Sequence, residues 1–126
     1  MRVFVALSLL GLALAGCVTP SIPIPPPDPA KMTFTVQGLG TGDSRASFAY
    51  EKDNNLIDAI VFVYNRTRGV GIITDANADG SVGPTAPVAA ELGNEIVVTF
   101  QRQDQTASKC IRLREGQQSS TDFCGP

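Results

Sequence analysis

Residues 32–126 read as an all-β domain, a β-sandwich of about seven strands. Three observations carry this. Apolar residues alternate with polar ones in short runs, turn clusters separate the runs at regular intervals, and no stretch of ten or more residues shows a capped helical period. The first run, "MTFTVQG", sets Phe34 and Val36 on one face and Thr33 and Thr35 on the other. "ASFAY" does the same with Ala46, Phe48 and Tyr50. "LIDAIVFVYNR" is apolar on both faces, Ala59, Val61 and Val63 against Ile60, Phe62 and Tyr64, which predicts a central strand covered on both sides. "GVGIIT" is a short strand. "EIVVTFQ" alternates Ile96, Val98 and Phe100 with Val97, Thr99 and Gln101, and "KCIRLR" alternates Ile111 and Leu113 with Cys110, Arg112 and Arg114. The intervening "GLGTGDSR", "KDNN", "NRTRG", "DANADG", "ELGN" and "DQTAS" are turns.

The chain before residue 32 is of a different kind. Arg2 precedes an apolar run from Val3 to Ala15. As a helix that run would rise about 20 Å, short of the roughly 30 Å hydrocarbon core, so it has the layout of a secretory leader and not of a membrane span. It ends in Leu14-Ala15-Gly16-Cys17, which resembles the lipobox of bacterial lipoproteins. The resemblance implies cleavage after residue 16 and acylation of Cys17, with the chains anchoring the protein permanently in a membrane. Val18, and not aspartate, follows the cysteine. By the same resemblance this points to the outer membrane, with the domain periplasmic or surface-exposed. Residues 18–31, "VTPSIPIPPPDPAK", hold six of the nine prolines. Proline favours extended polyproline II, and fourteen such residues reach roughly 40 Å, so 17–31 reads as a lipidated cysteine and stand-off linker.

Three cysteines is an odd count. With Cys17 acylated, Cys110 and Cys124 remain, and an oxidising compartment joins them. That bond would tie the polar tail "EGQQSSTDFCGP" back to the last strand.

"ITDANADGSVGPTAPVAAELGNEIVVTFQRQDQTAS" resembles the second half of bacterial immunoglobulin-like domains. The matching pieces are Ala78-Asp79-Gly80-Ser81, then Leu92-Gly93-Asn94, then Ile96-Val97-Val98-Thr99, while "DQTAS" lacks the glycine of the pattern. The resemblance implies an immunoglobulin-like sandwich with a spacer or adhesive role, and no reaction.

Chemistry-bearing residues are few. Asp75, Asn77, Asp79 and Gly80 match the first half of a calcium loop, but position twelve is Ala86, and the bidentate acid is missing. They suit a tight turn equally, with Gly80 supplying positive φ; calcium stays open only as a weak site. The chain has no histidine, which excludes histidine-based catalytic triads and imidazole metal sites. Once the leader's Arg2 is removed, nine basic residues face twelve acidic ones, a net charge near −3, so nucleic acid is not an expected partner. Arg66 and Arg68, in a turn, are candidates for contact with an anionic partner. These observations lead to a non-enzymatic lipoprotein, attached to a membrane through Cys17 and meeting an envelope or extracellular protein. The alternatives are a calcium module at 75–80, or an enzyme inhibitor presenting the 65–71 turn as a wedge.

Overall fold

The computed structural model describes residues 23–40 and 42–125. The leader and Cys17 lie outside the described residues.

Eight strands form two antiparallel sheets packed face to face: β1 (Met32–Gln37), β2 (Arg45–Tyr50), β3 (Ile60–Asn65), β4 (Val70–Asp75), β5 (Val88–Ala89), β6 (Glu95–Arg102), β7 (Gln105–Arg112) and β8 (Gly116–Gln117). One sheet runs β5-β2-β1-β8 and the other β4-β3-β6-β7. With β1, β2 and β5 in the places of strands A, B and E, and β4, β3, β6 and β7 in those of C′, C, F and G, seven of these strands follow the order of an immunoglobulin-like sandwich, with β8 added beyond the A position and none in the D position among the described residues.

Alternation decides what the sheets enclose. Phe34 pairs with Phe48 across β1 and β2, and Val61 and Val63 pair with Phe100 and Val98 across β3 and β6. All six are buried, because directly opposed residues of an antiparallel pair share a face. The aromatic rings stack in series through the core. Phe34 and Phe48 lie 5.1 Å apart, and Tyr50 meets Phe100 edge-on at 4.9 Å. Burial pushes the Tyr50 hydroxyl pKa upward, and its oxygen accepts a hydrogen bond from the Asp28 backbone N–H at 3.1 Å.

Three features depart from the sequence reading. The packed body begins before residue 32. Pro27 and Pro29 are buried, Ile24 packs on the core, and the Ile24 N–H donates to the Gln105 side chain at 2.7 Å. Asp28 caps a 3-10 turn over Pro29–Lys31. The proline-rich stretch is therefore docked on the body from residue 24 onward. Second, β5 and β8 are two-residue strands, too short to show a period. Third, β3 is covered on one face only: Val61 and Val63 are buried, whereas Ile60 and Tyr64 are exposed.

The tail is tied back as expected. Cys110 and Cys124 form a disulfide, with Cα atoms 5.2 Å apart. Before reaching it the tail crosses to the other sheet as β8, pairing with Thr33 and Phe34, and Gln118 is buried with its amide donating to the Arg114 and Gly116 carbonyls.

Candidate interaction face

The outward face of the β4-β3-β6-β7 sheet gathers Ile60, Phe62 and Tyr64 from β3, Ile73 from β4 and Val97 from β6. The register places Phe62 beside Ile73 and Thr99, and Tyr64 beside Gly71 and Val97. Ile73 is 70% exposed, Tyr64 46% and Ile60 37%. Scattered apolar side chains are ordinary on a surface, and a contiguous set on one sheet face makes it a candidate contact site.

Gly71 shapes this face. A Cβ there would come within 2.7 Å of the Val63 carbonyl and 3.2 Å of the Tyr64 ring. The absent side chain lets the ring lie over the strand and leaves a shallow groove of about 340 Å³ lined by Phe62, Val63, Tyr64, Gly71, Ile72 and Ile73. Its walls are almost wholly apolar, so it suits a hydrocarbon side chain and offers nothing to hold a charge.

The turn from β3 to β4 is built on Asn65. This side chain is buried; its amide donates to the Ala89 carbonyl at 3.0 Å and to Asn94 Oδ1 at 2.9 Å, and its oxygen accepts the backbone N–H groups of Thr67 and Arg68. One side chain thus holds the turn to both sheets. Arg66, exposed in this turn, already donates from its guanidinium to Glu95 and to the Cys124 carbonyl. Arg68 is exposed and enters none of the ion pairs among the described residues.

Asp75 closes β4, while Asn77 and Asp79 lie in the turn that follows. The side chains of Asn77 and Asp79 are turned onto the loop itself. Asp79 Oδ1 accepts from the Ser81 N–H at 2.9 Å and from the Ser81 hydroxyl at 2.6 Å, and Asn77 donates to Ser81 and to the Gly83 carbonyl. Gly80 sits at φ +84° with its own carbonyl accepting from Asp53 N–H; a Cβ there would fall 2.0 Å from the Asp53 carbonyl oxygen. Gly80→Ala is therefore expected to lower stability by at least about 2 kcal/mol, since positive φ and a backbone clash act together. Equilibrium urea unfolding checks this, and a loss below a few tenths of that would show that the turn relaxes freely.

Among the described residues, the only group of three potential metal ligands of the histidine, cysteine or acidic types is Glu95, Cys110 and Cys124. As a disulfide the two sulfurs offer no thiolate. A wider cleft of about 430 Å³ lies where the proline segment meets the tail, lined in part by Lys31, Tyr50, Asp53, Lys109 and Phe123. Its charges are already engaged: Lys31 reaches Asp53 at 3.5 Å, and the Lys109 ammonium stands 3.6 Å over the Phe123 ring.

Carboxylates in these networks contribute to the acid sensitivity of the fold. The Asn55 N–H holds the Asp53 pKa below the ordinary aspartate value, and the hydrogen bond from Arg66 does the same for Glu95. A depressed folded-state pKa contributes stability that is complete above the unfolded value, about 4 for both groups, and disappears as pH falls through the folded value. Stability is thus expected to be flat from neutrality to about pH 5 and to fall below about pH 4. Asp53→Asn and Glu95→Gln should each flatten that fall, as read by thermal unfolding along a pH series; an unchanged slope in both would sink the assignment.

No family model matches this chain, and no match was found among curated proteins or solved structures. The face, then, stands on its own geometry. Its apolar residues were legible in "LIDAIVFVYNR", but as a second buried face.

Proposed function

We propose that this chain is a membrane-anchored extracytoplasmic lipoprotein whose immunoglobulin-like sandwich is a non-catalytic binding module. The observation that carries the binding role is the exposed apolar face of β3 and β4, with Ile73 at its edge and the Gly71 groove beside it. Leu14-Ala15-Gly16-Cys17 supports attachment to a membrane through lipid on Cys17, and Val18 supports an outer-membrane destination. The Cys110–Cys124 bond agrees with an oxidising compartment outside the cytosol. An apolar sheet face of this size recognises another folded protein and not nucleic acid, which would require a basic surface.

Mass spectrometry of the chain purified from membranes tests the anchor. The expected result is a polypeptide beginning at an acylated Cys17, with Cys17→Ser releasing the protein from the membrane fraction. A first residue with a bare thiol overturns it.

A further inference from the structure

We propose that a second copy of the same chain joins this face at its β4 edge, with β4 pairing antiparallel to the other copy's β4 about a two-fold axis at Ile72. The two β4-β3-β6-β7 sheets then run into one continuous sheet. This rests on the reading of the β3 and β4 surface as a binding face and names what meets it at the β4 edge.

The edge itself comes first. β4 is the last strand of its sheet and pairs only with β3. Alternate residues along it turn their N–H and C=O groups away from β3, and no backbone group of another described residue bonds to them. Edge strands are usually blunted by proline, lysine, a bulge or an inward-pointing charge. "VGIITD" contains none of these over six residues, and its one charge, Asp75, is at the end.

Register follows from the faces. Opposed residues in an antiparallel pair project to the same side, so two outward apolar faces become continuous only if the axis falls on a residue and not between two. Placing it on Ile72 sets Ile73 of each copy opposite Gly71 of the other. The most exposed apolar side chain of the domain then enters the other copy's groove, where a missing Cβ and the Tyr64 and Phe62 rings receive it, and this happens twice. On the inner side, half-exposed Val70 is covered by the other copy's Thr74.

Charge agrees with this register. Gly69 falls opposite the second copy's Asp75, so each Arg68, exposed and outside the ion pairs described above, lies beside an exposed carboxylate. A parallel arrangement would set Arg68 against Arg68. The self-complementarity therefore covers hydrogen bonds, shape and charge together.

Sedimentation velocity of the chain from Val18 to Pro126, which keeps every described residue, is the test. The expected species is a dimer that dissociates on dilution. Ile73→Lys should be monomeric while melting at the temperature of the parent diluted to monomer, because the side chain is covered only in the dimer. Arg68→Glu should weaken the dimer about tenfold, and Arg68→Glu combined with Asp75→Arg should restore it. A dimer indifferent to Ile73→Lys, or a double variant no better than the single one, overturns the pairing. A parent chain that stays monomeric also overturns it, and a capture experiment on envelope extracts then separates two cases. Ile73-dependent retention of a different protein leaves the binding-face reading standing, whereas retention indifferent to Ile73→Lys, or none, removes both.

Discussion

Phe48→Ala is expected to destabilise the domain by about 4 kcal/mol. The ring is 1% exposed, on the inner face of β2, with Phe34 5.1 Å away and Tyr50 6.3 Å away. Removing it loses the transfer free energy of an aromatic side chain and leaves a cavity between two sheets. These walls cannot collapse, because Phe34, Phe100 and Tyr50 are each held by their own strand pairings. A domain of this size has about 5–15 kcal/mol of total stability, so roughly a third or more would go. Urea unfolding should show a lower midpoint at unchanged slope. Ile73→Ala, on the outer face, should stay within about 0.5 kcal/mol in the monomer. If the two substitutions cost the same, the inward and outward assignments of the sheets are wrong.

Removing the disulfide, as Cys110→Ala with Cys124→Ser, is expected to cost about 3 kcal/mol. The bond spans a sequence separation of 14, and a closed loop of that length restricts the unfolded chain by about this amount. What it restrains in the folded state is also specific. Phe123 bridges to Ile111, Lys109 stands over the Phe123 ring, Arg112 bonds Asp122 and the Phe123 carbonyl, and Arg66 bonds the Cys124 carbonyl. The Arg66 and Arg112 bonds are solvent-exposed and worth little alone, so these contacts hold the tail only while the bond keeps it near. Amide exchange should therefore accelerate most in residues 114–125 and least in β3 and β6. Reductant should lower the parent chain's stability to that of the variant and leave the variant unchanged. A variant as stable as the parent would show that the tail is held by packing instead.

How far the sequence reaches can be judged from particular residues. Phe34, Phe48, Val61, Val63, Val98 and Phe100 are inward because a strand has a period of two, and that period is written directly in the residue order. The turns at 65–69 and 75–80 are partly local in the same sense: Asn and Asp side chains close them through bonds to residues at most six positions away, while the Asn65 amide and the Gly80 carbonyl also reach residues far along the chain. The partnership of Cys110 and Cys124 followed from assigning the remaining cysteine elsewhere. The exposed face was not legible in this way. Alternation reports which side a residue points to, whereas cover depends on what the rest of the chain stacks against that side.

What the sequence alone determined, then, is the six longer strands, their inward faces and most of the turns, since each is a property of neighbouring residues; "DQTAS", read as a turn, lies mostly within β7 (Gln105–Arg112). Tertiary structure decided the rest. It docked Ile24, Pro27 and Pro29 on the body, recruited Val88–Ala89 and Gly116–Gln117 as strands too short to carry a pattern, spent Arg66 on Glu95, and left Ile60, Tyr64 and Ile73 in solvent. All of these join residues far apart along the chain, and no window of local sequence contains both partners.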